Sequence, residues 1–89
     1  LIDPNVGHRI PQDVAERYRM AALCEQGDEI WLAMIDPYDV IALDQARRYL
    51  PPHLLIAPQI ITAAELSDVH DFIYGYALGL EDILRELRA

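Results

Sequence analysis

The chain has 89 residues, 53% of them hydrophobic, and carries fifteen acidic side chains against seven arginines and no lysine, a net charge of −8. That length suits one small domain burying roughly two thirds of its unfolded surface, and the charge, which repels phosphate backbones, excludes nucleic acid as a partner. No apolar run approaches the roughly 20 residues of a bilayer-spanning helix, so no direct membrane insertion is expected.

The chain opens at Leu1 without a methionine and reads as a fragment of a longer protein. Asp3 and Pro4 supply a helix cap and a first helical position, and Gly7 keeps the resulting turn short. After Pro11, residues 12–19 place Val14, Ala15 and Tyr18 on one helical face and Asp13, Glu16 and Arg17 on the others, which predicts a two-turn helix lying on a sheet. Residues 20–24 are an apolar run containing the single cysteine, Cys24, which acts as a small hydrophobe and fits a reducing compartment.

Gly27 then marks a hairpin loop. Its second strand, residues 30–35, has apolar side chains on both faces and is expected at the centre of the sheet. At its end Asp36 is expected to cap a helix with Pro37 at the first helical position, while Asp39 favours the positive end of the dipole. Ala42, Leu43, Ala46, Tyr49 and Leu50 form the buried stripe of that helix, with Asp44 and Arg48 paired outside. Pro51 and Pro52 stop it, and residues 54–56 predict a third strand ending at Pro58.

Strand, helix and strand imply a right-handed parallel crossover beside the hairpin. Thr62 and Glu65 form a capping box opening a helix with Leu66, Val69, Ile73 and Tyr76 at helical spacing. Tyr74, Gly75 and Gly79 loosen its end. The fold class expected is therefore α/β (α+β), a small mixed three-stranded sheet packed with three or four helices. A domain over residues 1–76 would be followed at 77–89 by an amphipathic helix or linker bearing Leu80, Ile83, Leu84 and Leu87. That stripe either packs on its own domain or forms a partner-binding helix, and self-association through it is a further option.

Catalytic chemistry is weakly signalled. Asp36, Asp39 and Asp44 have the oxygen ligands of a divalent-cation site, but the first two already have work at a helix end. Ser67 and His70 share a helix face without any sign of an oriented base or oxyanion donors. Cys24 with His8, His53 and His70 lacks the close ligand pairs of a zinc site, and without lysine there is no phosphate-binding loop. No catalytic residue, metal or cofactor is assigned.

The order I-D-P at residues 2–4, I-P at 10–11, A-E-R-Y at 15–18, A-M-I-D-P-Y-D at 33–39 and A-L-D at 42–44, closing on Tyr74-Gly75, resembles the N-terminal domain of type II secretion and type IV pilus assembly ATPases. The resemblance implies a non-catalytic docking or regulatory domain that couples the motor to the cytoplasmic part of an inner-membrane platform protein. It also implies a cytoplasmic location, peripheral to the inner membrane through partners, and an ATPase core downstream of Ala89. Some family members bind cyclic di-GMP through Arg-Leu-Gly repeats in a preceding helical portion. No Arg-Leu-Gly occurs here, so a cyclic di-GMP sensor stands as the alternative.

Overall fold

The computed structural model describes residues 2–75. The elements are α1 (Pro4–Gly7), α2 (Gln12–Arg17), β1 (Met20–Gln26), β2 (Glu29–Met34), α3 (Val40–Tyr49), β3 (Leu55–Ile60) and α4 (Ala63–His70), then a π-helical turn (Asp71–Gly75). The strands form one mixed sheet in the order β1-β2-β3, with β1 antiparallel and β3 parallel to β2. The expected hairpin, crossover and central strand are all present. The Leu80, Ile83, Leu84 and Leu87 stripe, the 77–89 segment and Tyr76 lie outside the described residues.

The hairpin closes over Gly27 and Asp28, and Gly27 takes the positive φ of +62° that a two-residue loop demands. Both faces of β2 are covered, because Ile30, Leu32 and Met34 on one and Ala33 on the other are essentially solvent-free. These residues join Ile10, Ala15, Met20, Leu66 and Ile73 in one core. Ala42 and Ala46 are fully buried on α3 and belong to the same core.

Five local expectations are corrected. Helix α2 stops at Arg17, two residues early, because Arg19 turns into the left-handed region at φ +52°. The cap of α3 is Asp39, whose Oδ1 accepts from Ala42 N–H at 3.1 Å, while Asp36 accepts from Tyr38 N–H in the preceding turn and Pro37 lies in that turn rather than at the first helical position. Asp44 and Arg48 form no ion pair; among the described residues the pair is Arg9–Glu25 at 2.7 Å. Tyr49 is 38% exposed, at the margin of the buried stripe.

Finally, β3 runs through Pro58 to Ile60. Leu55 and Ile61 donate their N–H groups to β2's side, which turns Ile56, Pro58 and Ile60 outward, so the missing proline donor falls on the free edge.

On the opposite edge two outward carbonyls are taken. The pairing register shifts between Ala22 and Cys24, and the carbonyl of the bulged Leu23 accepts the Asp3 N–H at 2.7 Å. The backbone N–H and carbonyl of Met20 point to the outer edge because its partner Met34 bonds on the far side to Ile61, and that carbonyl accepts from His70 Nε2 at 2.8 Å. In neutral His70 the proton is therefore on Nε2 and Nδ1 is the acceptor.

The capping box of α4 is formed as expected, with Thr62 and Glu65 exchanging bonds of 2.9 and 3.1 Å. The Thr62 backbone N–H, and after it the Thr62 hydroxyl, hold the Glu65 carboxyl below its ordinary pKa. Beyond His70 the helix widens into the π turn, which carries both Ile73 and Tyr74 into the core. Tyr74 donates its hydroxyl to the Ile10 carbonyl at 2.7 Å, with the Gly7 carbonyl 3.2 Å away, and its ring lies between those of His8 and His70.

Burial pushes the Tyr74 phenol up to about 12, with the Glu16 carboxylate adding to the effect. A phenol that holds its proton more tightly when folded stabilises the fold below about pH 10 and loses that contribution as pH rises towards 12. Urea midpoints measured across pH 8–12 are expected to fall above about pH 10 in the native chain and to fall less in Tyr74→Phe.

Candidate docking surface at the carboxyl end of the sheet

Two chain segments meet where β2 ends. The pairing of Met20 with Met34 sets the start of β1 beside the end of β2, so the α2–β1 link and the β2–α3 turn share one end of the sheet. The carboxyl ends of the parallel strands β2 and β3 lie there too, the usual place for a binding crevice in an α/β sheet. Tyr38, Val40 and Ile41, three apolar residues within four positions, are 87%, 66% and 62% exposed.

Arg17, Tyr18, Arg19, Asp39 and Ile41 line a crevice of about 350 Å³. The Arg17 guanidinium sits 5.5 Å from the centre of the Tyr18 ring. Neither Arg17 nor Arg19 has a carboxylate partner among the described residues. Asp36 and Asp39 are engaged by backbone N–H groups and Glu16 by the Gln12 amide at 3.1 Å, while Asp71 lines the neighbouring crevice with Arg19.

A second crevice of about 380 Å³ opens on the other side of Arg19, lined among others by Ile35, Leu66, Ser67 and His70. It contains the Ser67 and His70 pair, but His70 spends Nε2 on Met20 and no bond joins it to Ser67, so the arrangement has no activated nucleophile. Among the described residues no group of three or more His, Cys, Asp or Glu could hold a metal ion. Cys24 is buried and free.

Asp36, Pro37 and Asp39 thus shape the turn into α3 at this end of the molecule. Asp39→Ala removes the α3 cap and is expected to lower stability by about 1 kcal/mol, measurable as a shift in urea midpoint. Asp39→Asn should recover most of it.

Sequence reasoning overlooked the apolar and arginine components. A signal was available, since Ile41 stands three and seven residues ahead of Asp44 and Arg48 on the polar side of α3, out of phase with the buried alanines.

Fold and surface together define a small open-sheet α+β domain presenting an apolar face edged by two guanidinium groups. The chain belongs to the MshEN domain family, whose model matches residues 1–80. It is 31% identical over 87 residues to the type IV pilus assembly ATPase PilB of Thermus thermophilus, an alignment covering 94% of this chain and 10% of that protein. The chain therefore spans about a tenth of that relative's length. A solved structure described as MshE with cdg superposes with a TM-score of 0.72 at 27% identity, over 82% of this chain and 52% of that one. The resemblance to the N-terminal domains of secretion and pilus ATPases, read from the A-M-I-D-P-Y-D turn, holds.

Proposed function

We propose that the chain is a non-catalytic docking or regulatory domain of a type II secretion or type IV pilus assembly ATPase. It couples the motor to the cytoplasmic part of an inner-membrane platform protein, and it works in the cytoplasm, at the membrane only through partners. The observation that carries this reading is the exposed Tyr38, Val40 and Ile41 face on a domain of this family. Water-exposed apolar side chains grouped at one end of a small acidic domain favour a protein partner over solvent. Among the described residues no helix is long and apolar enough to cross a membrane.

The parent polypeptide, tagged and extracted with mild detergent, should recover a multi-spanning membrane protein, and Ile41→Asp should abolish that recovery. Equal recovery by both would remove this surface from the reading. The chain alone should show no ATP turnover.

A second reading is favoured by the MshE structure containing cdg: the domain takes part in sensing cyclic di-GMP. With no Arg-Leu-Gly in the sequence, calorimetric titration of the chain with cyclic di-GMP should give no binding heat. A saturable heat would put the sensor reading first.

A further inference from the structure

Arg19 occupies the position just past the end of α2, where a left-handed residue commonly ends a helix and glycine is the usual choice. At φ +52° an arginine is strained by its own Cβ, whereas glycine would take the same backbone freely. Its backbone N–H reaches only the Glu16 carbonyl, at 3.4 Å. Its side chain is exposed and has no hydrogen bond or ion pair among the described residues, so the guanidinium returns nothing to the fold of those residues. Yet it borders both crevices at the carboxyl end of the sheet.

We infer that Arg19 and Arg17, with Tyr18, Tyr38 and Ile41, form a docking site for a partner-protein segment in which acidic side chains alternate with apolar ones. The inference rests on the docking reading above and names the chemistry of its partner. Charge complementarity selects this occupant. The domain is strongly acidic, but in the crevice that both arginines line the one carboxylate, Asp39, is taken by the Ala42 N–H, while two guanidinium groups without a carboxylate partner among the described residues stand beside apolar surface. A guanidinium fork pairs with a carboxylate through two parallel bonds. The exposed Tyr38 and Ile41 would meet the apolar side chains between those carboxylates. A strained backbone carrying an exposed side chain that bonds to none of the described residues points to a role outside the fold.

The substitution Arg19→Gly separates folding from binding. It should raise the melting temperature by about 4 °C, because the strain goes. Binding is read by fluorescence anisotropy with a labelled helical peptide alternating glutamate pairs with leucine, and with the same peptide carrying lysine for glutamate. The native chain should prefer the glutamate peptide, increasingly so as salt falls. Arg19→Gly and Arg17→Gln combined should weaken that binding by about tenfold or more.

Undiminished binding by the double variant, equal affinity for both peptides, or a lower melting temperature in Arg19→Gly would overturn the assignment. So would binding of phosphatidylglycerol vesicles or cyclic di-GMP at these arginines that the glutamate peptide fails to displace. Failure of the broader reading is distinguishable. Recovery of a platform protein by the parent carrying Arg19→Gly, at the native level, overturns the Arg19 assignment alone. No recovery by the native parent overturns platform coupling, while the peptide result stands by itself.

Discussion

Leu32→Ala is expected to lower the stability of the chain by about 2–5 kcal/mol. Leu32 is fully buried at the midpoint of the central strand, between Ala22 on one neighbour and Pro58 on the other. Both flanking side chains are small or rigid, so neither can swing in to fill the space vacated, and the cavity remains. A domain of this size has roughly 4–13 kcal/mol in total, which places the variant near the unfolding threshold at physiological temperature. Urea unfolding should show a lower midpoint with an unchanged slope. Leu23→Ala is the control, because Leu23 is half-buried and stands in the bulge outside the strand register. Equal losses in the two variants would mean that the sheet's centre is not where stability is concentrated.

The second large effect concerns one contact between the first helical turn and the last. A Cβ added at Gly7 would lie 2.7 Å from Ile73 Cγ2 and 2.8 Å from its Cδ1, inside a core where Ile73 has no exposed surface. Gly7→Ala should therefore cost about 1–3 kcal/mol through overpacking, and Ile73→Ala about 2–5 kcal/mol through the cavity it leaves. Together the two should cost less than their sum by about 1 kcal/mol or more, because the new methyl enters the space that the isoleucine gave up. Gly75→Ala, whose Cβ would meet nothing within 4 Å, should be close to neutral. Strict additivity of Gly7→Ala and Ile73→Ala would show that the two segments do not touch as described.

Alternating and helical patterns made most of the architecture readable. The double-sided apolar strand at residues 30–35 identified the centre of the sheet, and Thr62 with Glu65 identified the start of α4, since both signals depend on near neighbours in the chain. Where an outcome depends on competition between adjacent groups, the reading slipped. Asp36 and Asp39 are both good caps, and which one holds α3 is decided by the tight turn at residues 36–39, which carries Asp36's carboxylate to Tyr38 instead.

The widening at Asp71–Gly75 likewise has no local signature; it follows from the need to seat Ile73 against Gly7 and the Tyr74 hydroxyl on the Ile10 carbonyl. The candidate site was legible only in fragments. Tyr38, Val40 and Ile41 stood in plain view as apolar residues outside the buried stripe, whereas the left-handed Arg19 is a conformation that no sequence pattern announces for arginine.

The sheet's two borders differ in kind. Along β1 the outward carbonyls of Met20 and Leu23 are already taken, by His70 and by the Asp3 N–H. Along β3 no described strand pairs with the border, and the stretch from Tyr49 to Ala64 that contains it has no Asp, Glu, Lys or Arg, so among the described residues one proline is its main barrier against added strands. The two margins of this sheet are therefore unequally protected, like a tape fastened along one side at two points. A strand that joins on the β3 side, whether from the parent polypeptide or another molecule, must tolerate a missing donor at its middle.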